Sequence, residues 1–337
     1  KMIRAMRLRH PASLDNLKLE TVEVADHRPG EIRVRIRAGS LNFRDGLVVK
    51  GFFPVEDGLV PLSDGAGEVV AVGEGVSAFK PGDAVVSTFH PAWRDGHIER
   101  AELTTSPGGP AQGYACDEVT RSVAHFTHAP KGLSHAEAAT LTCAGVTAWR
   151  AVVTDGQVKP GQTVLVQGTG GVSLFALQFA KVAGATVIAT SSSAEKLERL
   201  KALGADHVIN YRETEKWGEA ALALTGGLGV DHVIEVGGPH TMPQSLVAAR
   251  TGGHIAIIGA VGGFDIDTIP FAIVQAKRLR LQGVTVGSRR DQEDMVRAIE
   301  AHGIRPVVDS TFGLEQLADA FRHLDAGGHF GKIVIEM

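Results

Sequence analysis

Only two cysteines, Cys116 and Cys143, occur in 337 residues. A disulfide framework is thereby excluded, and so is a structural zinc lobe built from four cysteines. No apolar run reaches the ~20 residues that a membrane-spanning helix requires. The first residues lack the apolar core of a signal peptide, so a cytoplasmic location is the expectation. Basic residues are not concentrated anywhere, and the net charge is -4. The two small groupings, Lys277-Arg278-Leu279-Arg280 and Arg289-Arg290, read as solvated surface rather than as a nucleic-acid footprint. Neither a nucleic-acid nor a membrane partner is expected.

Glycine is in excess, with 41 residues, which suits a fold with many strand-to-helix turns. A single core stops growing near roughly 250–300 residues, so two domains are expected. The run Glu31-Ile32-Arg33-Val34-Arg35-Ile36-Arg37 alternates charged and apolar residues, as a half-buried strand does. Further short β runs at 67–73 and 83–87, broken by Pro81-Gly82, make 1–126 an irregular β-barrel domain. Beyond a helical stretch at 135–154 the pattern changes to alternating strands and helices. Strands are expected at 163–167, 186–190, 207–210, 231–235, 254–258 and 280–285, with helices at 174–183 and 194–203. Such alternation means a parallel sheet covered on both faces, giving a second domain over 127–285. Helices near 291–302 and 314–324 and a strand at 332–336 do not continue it, so 286–337 returns to the first domain.

The strand at 163–167 runs into Gly168-Thr169-Gly170-Gly171-Val172-Ser173. Gly168 permits a tight turn, Gly170 lets the backbone approach a pyrophosphate, and the helix that follows offers free N–H groups to phosphates. Ser173 stands where a third glycine is usual. An isolated glycine pattern says little, but this one lies inside a βαβ unit, the context that a dinucleotide site requires. The end of the next strand selects the cofactor. An acid there would bind a ribose 2′-OH, whereas this chain has Ser191, Ser192 and Ser193 followed by Lys196. Three hydroxyls and an ammonium suit a 2′-phosphate, so NADP(H) is expected in preference to NAD(H).

Motifs spread over the whole chain resemble the medium-chain dehydrogenase/reductase superfamily. They are Leu41-Asn42-Phe43-Arg44-Asp45, the Gly65–Gly73 run, Pro81-Gly82-Asp83, Cys143-Ala144-Gly145-Val146-Thr147, the glycine turn, and Gly331-Lys332. The resemblance implies an α/β fold in which a GroES-like β-barrel catalytic domain is split around a doubly wound Rossmann domain. It also implies a homodimer through the edge strand near 281–288, and a Lys332 contact with the cofactor pyrophosphate. Zinc-holding members bind their catalytic metal through Cys, His and Cys. Aligned on this chain, those positions hold Asn42, Ser63 and Cys143, with Asp64 as the acid after the second. Amide and hydroxyl are poor zinc donors, so no zinc is expected.

Hydride transfer then needs hydrogen-bond donors to polarise a substrate oxygen. The resemblance puts Asn42, Arg44 and Ser63 around the former metal position, Asp45 and Asp64 beside them as orienting or proton-relaying acids, and Cys143 and Thr147 near the nicotinamide; a structural ion pair of Arg44 with Asp45 is the alternative for those two. Cys116 reads as buried filler. A long irregular segment, 89–113, supplies Phe89 and Trp93 as candidates for the substrate pocket or as loop anchors. His90 and His97 read as surface residues, Tyr114 as a candidate proton donor, and Tyr211 as structural. Zinc-free members resemble quinone oxidoreductases and enoyl reductases. The leading expectation is therefore reduction of an activated C=C/C=O by NADPH. A metal-free alcohol dehydrogenase or ketone reductase, and a non-catalytic NADPH-binding protein, are the alternatives.

Overall fold

The computed structural model describes residues 1–259, 261, 263 and 269–337. It divides into two compact units, Lys1–Val146 with Val286–Met337, and Thr147–Thr285. The first dividing point falls about twenty residues beyond the expected 126/127, and packing explains why. The helix His135–Ala139 buries Ala138 and Ala139 in a cluster with Ala38, Ala66, Val86 and Val334, all of the first unit. Small side chains on both sides let helix and sheet approach closely, so the segment joins the barrel.

In the first unit β1 (Met2–Leu8) and β2 (Leu17–Glu23) form an antiparallel pair. The main sheet is built on β3 (Glu31–Ser40), whose Ile32, Val34 and Ile36 are buried while the intervening arginines stay partly exposed. This is the two-residue period of a strand with one face on the core. β3 pairs antiparallel with β4 (Asp64–Val72) and with β6 (Glu118–Ser122), and β5 (Ala84–Ser87) joins β4 to β7 (Phe126–His128).

The second unit is a parallel sheet of β8 (Thr163–Gln167), β9 (Thr186–Ser191), β10 (His207–Asn210), β11 (Val230–Glu235), β12 (Ala249–Ile257) and β13 (Arg280–Gly283). The order is β10-β9-β8-β11-β12-β13. Val164, Leu165 and Val166 are fully buried, as a strand covered on both faces requires. The chain steps outward from β8 to β9 and later returns to β11 on the other side of β8. The carboxyl ends of β8 and β11 therefore form the topological switch point, where open α/β sheets bind ligands. The helix after β8 covers Gly171–Val182, starting three residues before the expected 174. β13 ends at Gly283, not 285.

The chain then returns through the helix Arg289–His302, β14 (Val308–Gly313), the helix Leu317–Ala326 and β15 (Lys332–Glu336) to complete the barrel sheet, β14-β15-β3-β4-β5-β7. β14 had no sequence signal. It is an edge strand paired only with β15, and Asp309, Ser310 and Thr311 interrupt its apolar residues.

Candidate active site

Four element ends meet in the barrel unit. β3 ends at Ser40, Asn42 caps the helix Phe43–Val49, and β4 starts at Asp64 directly opposite Ser40. β15 starts at Lys332 and pairs beside them, with Val334 opposite Ser40. Cys143 lies in the wide π-type turn Leu141–Gly145, which Thr142 ties to the end of β5 through a 2.9 Å bond from its Oγ1 to the Ser87 carbonyl.

Asp45 is the hub of this cluster. Its Oδ2 reaches back to accept the Asn42 backbone N–H at 2.8 Å and the Asn42 amide at 3.1 Å. Its Oδ1 accepts from Arg44 at 3.1 Å and from the Ser63 N–H at 3.3 Å. Four donors occupy a fully buried carboxylate, which makes Asp45 an orienting acid. Ser63 donates to Asp64 Oδ1 at 2.7 Å and stands 3.4 Å from the Asn42 amide nitrogen. The other oxygen, Asp64 Oδ2, is buried without a hydrogen-bond partner. Burial pushes the Asp64 carboxyl up to about 6; Lys332 pulls it down and Asp45 adds to the rise. Burial likewise drives the Cys143 thiol upward, which makes it a poor nucleophile near neutral pH.

Arg44 borders this cluster through Asp45 and reaches beyond it. Its guanidinium donates to the carbonyls of Pro107, Gly108 and Gly109 at 3.2, 3.2 and 2.6 Å and lies 5.3 Å from the Phe89 ring centre. It therefore straps down the long 89–113 segment. Phe89 and Trp93 are both buried in that segment, with Trp93 Nε1 bonded to the Gly96 carbonyl, so both anchor it. His90 is buried beside Ser106 rather than exposed on the surface, whereas His97 is exposed. Tyr114 is fully buried, stacked edge-on against Phe126, and burial raises its phenol to about 12, which makes it a poor proton donor. Cys116 is buried in the barrel core. Thr147 is buried, four residues beyond Cys143, and is the first residue of the second unit.

In the second unit Gly168, at φ +70°, turns the chain from β8, and Gly170 caps the helix Gly171–Val182. A Cβ placed on Gly168 or Gly170 meets no atom within 4 Å. Gly168, Gly170, Gly171 and Val172 are partly exposed beside the buried Thr169; the Gly168 N–H is held by the Thr190 carbonyl, and the first turn of the helix that follows presents the N–H groups that a helix start leaves without helical partners. Ser173 is more than a small residue in a glycine position: its Oγ donates to the Gln167 carbonyl at 2.6 Å. At the end of β9, Ser191 Oγ accepts the Ser193 N–H, and Ser193 Oγ accepts the Lys196 N–H as helix cap. A hydroxyl that accepts in this way keeps its own proton to donate. Ser192 and Lys196 are partly exposed in the same turn.

Sequence reading missed three residues here. Gln167 donates to Glu235 at 3.2 Å and Ser245 at 2.8 Å, and accepts the N–H groups of Val236 and Gly237. The buried Glu235 also accepts from Thr241, Ser245 and the Gly238 N–H. This network ties the two sides of the switch point together; the only sequence sign was a polar residue ending an apolar strand. Tyr211, read as structural, is 42% exposed, and its N–H bonds the Ser191 carbonyl. It places an accessible ring beside the serine turn.

The residues present do not fit a zinc ion. Asn42 Oδ1 faces the Lys332 ammonium at 2.5 Å and the Ser63 hydroxyl is committed to Asp64, which leaves the Cys143 thiol alone among the three positions as a good zinc donor. Among the described residues no group of three His, Cys, Asp or Glu side chains is arranged to hold a metal. A nicotinamide dinucleotide does fit the open glycine turn and the free helix N-terminus.

Residues 28–131 match the alcohol dehydrogenase GroES-like domain, and residues 171–301 match the zinc-binding dehydrogenase family. The chain belongs to the medium-chain dehydrogenase/reductase superfamily, among its alcohol dehydrogenase-like members, and is an oxidoreductase. A zinc-type alcohol dehydrogenase-like protein of Schizosaccharomyces pombe is 43% identical over 334 residues, covering 97% of this chain and 96% of that one. The structure of an NAD-dependent alcohol dehydrogenase superposes with a TM-score of 0.91 at 36% identity, covering 99% of both chains. A crotonyl-CoA carboxylase/reductase solved with NADP superposes at 0.87 and 25% identity, covering 100% of this chain and 95% of that one.

Proposed function

We propose that this enzyme is a zinc-independent, NADPH-preferring reductase of activated double bonds, with an enone, enoyl or quinone acceptor. The observation that carries the reading is the barrel cluster, where an amide and a hydroxyl occupy the positions of metal ligands and a buried lysine ammonium stands against the amide. When bound, NADPH would supply a hydride to the β-carbon of a conjugated acceptor, which would become an enolate. An enolate spreads its charge, so hydrogen bonds can hold it, whereas the localised alkoxide of a simple ketone asks for a stronger electrophile. Asp64 supplies the proton: its Oδ1 accepts from Ser63, so the acid form carries its hydrogen on Oδ2. Asn42 and Asp45 keep Ser63 in place for that bond.

NADPH preference is supported by the hydroxyls of Ser191 to Ser193 with Lys196, and by the accessible Tyr211 ring beside them. An acid able to repel a 2′-phosphate is absent from the end of β9; Glu195, exposed in the first helical turn, is the nearest. A homodimer is supported by the position of β13 at the sheet edge, where an unpaired strand can add a second copy. A second reading, ketone or alcohol chemistry, is favoured by the alcohol dehydrogenase names of the relatives.

The test is oxidation of NADPH against NADH by chelator-treated protein, with a quinone, an enone and the matching saturated ketone. Turnover of the quinone or enone that survives chelation and prefers NADPH is expected. Reduction of the ketone alone moves the assignment to the second reading. Activity lost on chelation and restored by zinc overturns the metal-free site.

A further inference from the structure

We propose that Lys332 is the fixed cation of the barrel cluster, a positioning residue that holds Asn42 in one amide orientation and so directs the hydrogen bonds running to Asp64. Lys332 is 5% exposed, and its Nζ donates at 2.5 Å to both the Leu41 carbonyl and Asn42 Oδ1. An ammonium has donors and no acceptor, so only the amide oxygen can face it. The amide N–H groups must then point the other way, to Asp45 Oδ2 and Ser63 Oγ. Ser63, approached by an N–H, turns its own hydrogen to Asp64 Oδ1. Each step hands the donor role on from the charged end, and the last oxygen, Asp64 Oδ2, is left as the seat of the acid proton.

The charges facing this chain come from four elements. Arg44 and Asp45 belong to the helix Phe43–Val49 and form an ion pair at 3.1 Å. Asp64 opens β4, Cys143 lies in its wide turn, and Lys332 opens β15. Lys332 draws both Asp64 and Cys143 toward their ionised forms, and Arg44, paired with Asp45, adds a smaller pull on Cys143. Zinc-holding members of the family have a divalent ion for this purpose; here the positive charge is a side chain.

The sequence resemblance gives Lys332 another role, contact with the cofactor pyrophosphate, and the two roles separate in the variant Lys332→Met. As a positioning residue its loss leaves NADPH Kd within about twofold, while kcat with whichever acceptor the wild type reduces falls at least about tenfold. Asp64 also holds its proton to higher pH, so the alkaline limb of the rate profile moves up by about one unit. Lys332→Arg, which keeps the cation, recovers much of the rate and serves as the folding control. A second readout needs no turnover: in a Cys116→Ala background, alkylation of Cys143 by iodoacetamide near pH 8 slows about tenfold on Lys332→Met, because the thiol loses a neighbouring cation. The catalytic part of this test rests on the proposed function; binding and alkylation do not. A wild type inactive on every acceptor sinks the proposed function and leaves Lys332 to be judged by these two. A tenfold rise in NADPH Kd with unchanged alkylation overturns the positioning role.

Discussion

Two glycines separate the barrel from the Rossmann unit. At Gly67 in β4, a Cβ would lie 1.8 Å from the Arg35 carbonyl oxygen, inside the neighbouring strand. At Gly170 it would meet nothing within 4 Å. The barrel uses its glycine to bring two strands together, and the Rossmann turn uses its glycine to leave a place open. The polar groups divide in the same way. In the barrel, side chains bond one another in a closed network around two acids and a lysine, with Asp64 Oδ2 left over. In the Rossmann turn, backbone N–H groups and hydroxyl protons remain available. A closed network is sensitive to the loss of any member, and an open cradle chiefly to changes in what it can hold.

The largest effect should therefore come from the barrel hub. Asp45→Ala removes the acceptor for four donors, leaving the Arg44 charge and the buried Asn42 and Ser63 N–H groups unmatched. A loss of about 3–5 kcal/mol in urea unfolding is expected, the range for breaking one side of a buried charged network. A loss below about 1 kcal/mol would show that the network tolerates opening, and the contrast with the Rossmann turn would fail.

Asp64→Asn acts on the same network with the opposite sign. Burial raises the folded carboxyl from its ordinary 3.8 to about 6. The unfolded chain releases the proton first, so this group's contribution is most favourable below pH 3.8 and declines as pH rises to about 6. Above that the folded protein holds a carboxylate disfavoured by about 2–3 kcal/mol. The amide keeps the acceptor for Ser63 and removes the ionisation. The variant is expected to be more stable than wild type near about pH 8 and no more stable near about pH 4, measured by thermal melts at both. Equal melting differences at the two pH values would refute a raised Asp64.

Local patterns were legible in the sequence where a single period or turn determines them. The alternation around Ile32, Val34 and Ile36, the buried run of β8 and the glycine turn were all readable because each depends on neighbours within a few residues. The members of the barrel cluster were named, but their connections were not. Arg44 and Asp45 read as possible donors and relays, and only the fold reveals that the loop carbonyls of 107–109 and the Ser63 N–H occupy them. Lys332 read as a phosphate contact because nothing local brings it to Asn42; β15 does so by pairing across nearly the whole length of the chain. Gln167 and Glu235 escaped for a similar reason. They lie 68 residues apart in sequence and meet only because β8 and β11 are adjacent.

The smallest effect belongs to the open side, at Lys196. The serine turn already holds the Ser191 and Ser193 oxygens in place through backbone N–H groups, with or without the lysine. What Lys196 adds is one partly exposed charge, screened by salt and worth roughly 1 kcal/mol against a phosphate. Lys196→Ala is therefore expected to raise the NADPH Kd about fivefold at low salt and to leave the NADH Kd unchanged, with the gap narrowing as salt is added. Fluorescence titration of both cofactors measures it. An equal loss for NADH and NADPH would place the lysine on a part of the cofactor common to both. No loss for either would mean that the serine turn does not receive a 2′-phosphate, and the case for NADPH would then rest on nothing in this unit but the accessible Tyr211 ring.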